Sequence, residues 1–121
     1  MNIFRHVDVF ICHDSPLVSA GLAATLREQP ELRVGVGASP PEAATACDVL
    51  VADYDTGLQF LDALPAARYA ADTPPPRLLV VTSKLGEWDI RHAMARGVHG
   101  YLLLGCPAER LVDAVRSLAR G

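Results

Sequence analysis

No stretch of the 121-residue sequence approaches the roughly 20 consecutive apolar residues of a membrane-spanning helix, and the opening MNIFRHVDVFICHD lacks the apolar core of a secretory signal. A cytosolic location is therefore expected. Cysteine is scarce. Cys12, Cys47 and Cys106 form no CxxC pair and leave an odd count, which points to small reduced packing residues and not to a disulfide framework. His6, His13, His92 and His99 show no metal-ligand spacing, so no structural zinc site is expected. Basic charge is not in excess: 11 Lys and Arg stand against 14 Asp and Glu, a net charge of −3. The arginines at 91, 96, 110, 116 and 120 are spaced as solvated helical faces with acids between them, so this domain is not expected to bind nucleic acid itself. The turn after the first apolar run is not glycine-rich and offers no backbone cradle for a phosphate. There is also no GxSxG elbow and no Ser-His-Asp or Cys-His set, and the chain is not expected to be an enzyme.

Half of the residues are hydrophobic, enough for one filled core, and the length suits a single domain over residues 1–121. Short apolar runs alternate with helical patterns. VDVFIC (7–12), ELRVGVG (31–37), DVLVAD (48–53), RLLVVT (77–82) and GYLLL (100–104) read as strands. Of these, 48–53 and 77–82 are continuous apolar runs, as in strands covered on both faces. Ser15-Pro16 supplies a cap and a first-turn proline for a helix whose inner side carries Val18, Leu22 and Leu26, with Leu17 and Gly21 beside them. SPPEAATA (39–46) opens a short helix in the same way. GLQFLDAL (57–64) is helical up to Pro65. GEWDIRHAMARG turns Ile90, Ala93 and Met94 inward and ends at Gly97, and PAERLVDAVRSLAR turns in Leu111, Val115 and Leu118. Strict alternation predicts an α/β fold: a five-stranded parallel sheet, order 2-1-3-4-5, with helices on both faces.

In such a sheet the site lies beyond the carboxyl ends of the strands, at the switch between strands 1 and 3. Those ends carry His13 and Asp14 after strand 1, Asp53 after strand 3, Thr82 after strand 4 and Leu104 after strand 5. Two carboxylates on adjacent strands need a cation or a proton between them, and hard oxygen ligands favour Mg²⁺.

VFICHDSPLVSAGLAATL, DVLVAD, RLLVVTS and GYLLL, in this order, resemble the receiver domain of bacterial response regulators. The flavour is that of the NarL/FixJ (LuxR-type) class, where the first turn reads much like DDHPLV and the last strand like GYLLK. The resemblance covers the whole chain. It implies that Asp53 is the phospho-accepting aspartate, that Asp14 and Asp53 touch Mg²⁺, that Thr82 senses the phosphoryl group and that Tyr101 is a switch aromatic. It also implies a sensor histidine kinase as phosphoryl donor, homodimerisation through the face of the fourth predicted helix, the fifth strand and the last helix, and a role in transcription regulation. DNA would be bound by a helix-turn-helix output domain lying outside these residues.

Three positions depart from that pattern. His13 replaces a second acid, and a neutral imidazole is a poor Mg²⁺ ligand. Leu104 replaces a lysine whose pairing with a phosphoryl oxygen at about 4 Å is worth about 4 kcal/mol at an effective dielectric of about 20. The loop after Asp53 is short, and its metal-binding carbonyl would fall at Asp55. Lys84 is a possible substitute cation. Leu85, Trp88, His92 and Ala95 form a second stripe on the fourth predicted helix, a candidate interface anchored by Trp88. The expected function is an atypical receiver serving signal input or dimerisation, without standard Mg²⁺-dependent phosphorylation. A working phospho-switch at Asp53 and a flavodoxin-like small-molecule binder are the alternatives.

Overall fold

The computed structural model describes residues 6–40, 47–64 and 74–121. Five strands, β1 (Val7–Cys12), β2 (Leu32–Val36), β3 (Val49–Ala52), β4 (Arg77–Thr82) and β5 (Gly100–Leu103), form one parallel sheet in the order β2-β1-β3-β4-β5. The helices are α1 (Pro16–Arg27), α2 (Tyr54–Ala63), α3 (Glu87–Arg96) and α4 (Ala108–Arg120). The short helix expected at 39–46 falls largely outside the described residues.

The apolar runs explain the layering. β3 is buried along its whole length, because helices cover both of its faces. On one face Val9, Ile11, Val49, Val51 and Leu79 pack against Leu22 and Leu26 of α1 and Leu111, Val112 and Val115 of α4. On the other, Leu50, Ala52, Leu78 and Val80 pack against Tyr54 and Phe60 of α2 and Ala93 of α3. The alternation of Leu32, Val34 and Val36 predicts a half-buried edge strand with all three turned inward; β2 is that edge strand, but its burial fades from Leu32 to an exposed Val36.

Some expected faces are corrected. Leu17 is exposed, since at helical spacing it lies on the side of α1 opposite the Leu22 and Leu26 stripe that packs on the sheet. Met94 is exposed and Ile90 only half-buried, because α3 touches the core narrowly, through Ala93 and the following Val98. Leu85 precedes α3 and is not part of it. α2 begins at Tyr54, three residues earlier than its apolar pattern starts. Gly57 allows this close seat: a Cβ there would stand 3.0 Å from Val80 Cγ2.

Candidate functional site

The register Cys12↔Ala52 between β1 and β3 brings the residues that follow, His13 and Asp53, to one edge of the sheet. Asp53, only 7% exposed, is the N-cap of α2. Its Oδ2 accepts from the Thr56 amide at 3.1 Å and its Oδ1 from the Asp14 amide at 2.9 Å. Burial pushes the carboxyl upward, but hydrogen bonds from the Thr56 hydroxyl and amide and from the Asp14 amide outweigh it. Asp53 is thereby held below its ordinary value and stays ionised.

His13 closes the edge from the other side. Its side chain is 6% exposed, and Nε2 lies 3.2 Å from the Val81 carbonyl at the end of β4. Two groups compete for Nδ1 at 3.1 Å: the Ser15 amide, which needs a lone pair there, and Asp14 Oδ1, which needs a proton. The Asp14 side chain is 73% exposed and is solvated by water, whereas the Ser15 amide is fixed by its place as the N-cap of α1. We therefore assign the lone pair to Nδ1 and the proton to Nε2, which donates to Val81. Ligand atoms of His13, Asp14 and Asp53 all lie within 4.8 Å of one another.

This set falls short of a resident Mg²⁺ site. His13 has both ring nitrogens committed to backbone partners and gives nothing to a hard cation. The carbonyl of Asp55 lies in the first turn of α2, directed along the helix, so the expectation of a metal ligand at Asp55 is not met. Two carboxylates remain, one accepting a backbone amide at each oxygen and the other largely in solvent.

The remaining predicted residues divide into two groups. Thr82 is buried at the end of β4, with Oγ1 accepting from the Lys84 amide at 3.2 Å. Tyr101 lies opposite Val80 on β5, its hydroxyl donating to the Lys84 carbonyl at 2.6 Å. Leu104 instead lines a shallow apolar groove with Val18, Leu22, Val81 and Pro107, between α1 and the turn into α4. Lys84 pairs with no carboxylate among the described residues; its ammonium sits 5.3 Å from the centre of the Tyr54 ring. Leu85 and Trp88 are 71% and 70% exposed, and Trp88 stacks on His92 with ring centres 4.7 Å apart. Tyr54 was missed by sequence reasoning: adjacent to Asp53, it packs edge-on against Tyr101 and donates to the Asp89 carbonyl at 2.9 Å.

A parallel 2-1-3-4-5 sheet with an acid at the end of β3 invites comparison with known proteins. No protein-family model matches the chain. The signal receiver domain of NarL from Mycobacterium tuberculosis superposes with a TM-score of 0.76 at 22% identity, covering 97% of this chain and 98% of that one. The chain has the receiver fold of response regulators. The response regulator ChrA of a heme-sensing two-component system is 28% identical with a TM-score of 0.68, over 95% of this chain and 57% of that one. The response regulator VraR of Staphylococcus aureus is 29% identical over 120 residues, 95% of this chain. The chain spans 57% of the length of that curated relative. Among its described residues no helix is long and apolar enough to cross a membrane.

Proposed function

We propose that this receiver is a non-enzymatic signal-input and dimerisation module of a cytoplasmic transcription regulator, working without Mg²⁺-dependent phosphorylation of Asp53. One observation carries the reading: the buried groups of the acidic edge are bonded to the protein's own backbone. Both Asp53 oxygens hold backbone amides, and the His13 imidazole stands bonded at both nitrogens where a further acid would hold the metal's water shell. Leu104 brings no charge to pair with a phosphoryl oxygen. DNA contact belongs, in this reading, to an output domain outside these residues, and the exposed Leu85 and Trp88 belong to a homodimer face formed by α3, β5 and α4. The likeness to response regulators that are longer than this chain supports the role of an input module.

The second reading is a working phospho-acceptor served by a histidine kinase. It is favoured by the ionised state of Asp53 and by the buried hydroxyl of Thr82 at the neighbouring strand end. Amide NMR with millimolar Mg²⁺ and beryllofluoride, an acyl-phosphate mimic, separates the two. Unchanged spectra are expected for the wild type. Shifts at Asp53, Thr82 and Tyr101 that vanish in Asp53→Ala would establish the second reading instead. That variant is expected to fold, losing about 1 kcal/mol with its helix cap.

A further inference from the structure

The hydrogen bonds of the acidic edge leave one juxtaposition unresolved. With its lone pair on Nδ1 and its proton on Nε2, the His13 ring faces Asp14 Oδ1 across 3.1 Å, electron pair to electron pair. In this tautomer no proton lies between the two groups. A cation placed there turns their repulsion into attraction.

The fit to Mg²⁺ fails on that same ring, because Mg²⁺ asks for oxygen ligands in an octahedron. A borderline divalent ion of the Zn²⁺ class asks for a different set: imidazole nitrogen and carboxylate oxygen, arranged as a tetrahedron whose open place goes to water. His13, Asp14 and Asp53 offer one such atom each, all within 4.8 Å of one another. Zinc ligands stand about 3.4 Å apart, so the longest separation has to close by about 1.4 Å at most. Nδ1 and Asp14 Oδ1 are already near enough, and the Asp14 side chain, facing solvent, is free to turn toward an ion.

The surroundings of His13 are those of a zinc-binding imidazole. Such a ring donates its other N–H to a carbonyl or carboxylate, which sets the tautomer and aims the lone pair. Here Nε2 donates to the Val81 carbonyl at 3.2 Å and the side chain is buried, so the ring is aimed before any ion arrives. Asp53 keeps capacity as well: each of its oxygens accepts one amide, and a carboxylate oxygen carries two lone pairs. Zinc would displace the Ser15 amide from Nδ1. Ser15 is only half-buried, and water can take that donor.

We propose that His13, Asp14 and Asp53 form a binding site for a divalent cation of the Zn²⁺ class, and that His13 turns this edge away from Mg²⁺ toward such an ion. The site rests on the preceding reading and deepens it: the input received here is a metal ion and not a phosphoryl group.

Titrating Zn²⁺ alone into the full chain, followed by ¹H–¹⁵N spectra of the amides and of the histidine rings, tests it. A single equivalent is expected to move His13 Nδ1 and the Asp14, Ser15 and Asp53 amides, while millimolar Mg²⁺ alone moves none of them. His13→Gln and Asp14→Ala are each expected to weaken Zn²⁺ binding about tenfold or more. His13→Asp is expected to exchange the preference, so that Mg²⁺ now moves the Asp53 amide and Zn²⁺ binds less tightly. Zn²⁺ shifts confined to His6, His92, His99 or Cys106 would overturn the site. So would binding within about twofold of wild type in both His13→Gln and Asp14→Ala. If His13→Gln loses its fold, Asp14→Ala decides, because that side chain faces solvent. Mg²⁺ with beryllofluoride separates the two ideas. Shifts at Asp53 with that mimic, alongside Zn²⁺ binding through His13 Nδ1, would sink the phosphorylation-independent reading and leave the zinc site standing. Silence to both Zn²⁺ and the mimic would overturn the zinc site alone.

Discussion

α4 and α3 cover opposite faces of the same sheet, and they are held there by different means. α4 buries Leu111, Val112 and Val115, and its Arg116 reaches Gln29 and Glu31 beyond the end of α1. α3 buries Ala93 alone and is tied by hydroxyls, through Tyr54 to Asp89 and through Tyr101 to Lys84, with an Arg96–Asp62 ion pair at its far end. Apolar burial is non-directional and tolerates small shifts, whereas a hydrogen bond fixes a distance and an angle. The α1–α4 side therefore supplies stability, and the α2–α3 side supplies a defined position for an exposed helix. Asp53 stands at the junction, its carboxylate capping α2.

The sharpest break of that comparison is a pair of truncations. Leu26→Ala, on the α1 side and fully buried, is expected to cost about 3 kcal/mol and to lower Tm by about 10 °C. Met94→Ala, on exposed α3, is expected to stay within about 0.5 kcal/mol. Equal losses in thermal or urea unfolding would erase the distinction drawn here.

A smaller effect is expected at Gly57. Its added Cβ in Gly57→Ala would meet Val80 Cγ2 at 3.0 Å and Leu78 Cδ2 at 3.4 Å, lifting α2 from β4 at a cost of about 1–2 kcal/mol. Because α2 carries the Asp53 cap and Tyr54, the Asp14, Thr56 and Asp89 amide resonances are expected to move with it. A stability loss with those resonances unmoved would show that α2 does not position the cap.

The smallest concerns the junction of β4 and β5 on the α3 side, where His99 Nδ1 accepts from the Leu78 amide at 2.9 Å. Partial desolvation, then the Arg77 guanidinium, hold this imidazole below its ordinary value although much of its surface faces solvent. A histidine lowered in the folded state favours the neutral form. Its contribution is complete above the unfolded value of about 6.5 and is lost as pH falls through the lower folded value. Urea unfolding should show wild type losing stability from pH 7.5 to about pH 5.5 by more than a His99→Asn variant loses. An identical pH slope in the two would remove His99 from the account.

Much of this was legible in the chain. RLLVVT was read as β4 residue for residue, because a continuous apolar run between a proline-rich connector and a polar turn has few other uses. The strand order followed from alternation, and the placement of Asp14, Asp53 and Thr82 at the strand ends followed from the order. The early start of α2 lies outside its apolar pattern and is set by a cap, Asp53 accepting from the Thr56 amide three residues on. Met94 was misjudged because a helical stripe does not reveal how much of it the neighbouring sheet will cover.

Local pattern thus determined the elements, the parallel sheet and the list of residues at its functional edge, because periodicity and turn chemistry act over a few positions. Only the tertiary structure decided what those residues do to one another. His13 meets Val81 across 68 positions and Tyr54 meets Asp89 across 35, and no local pattern encodes a partner at such a separation. Those two contacts, made by folding alone, fill the acidic edge with an imidazole and fix the helix that carries Trp88.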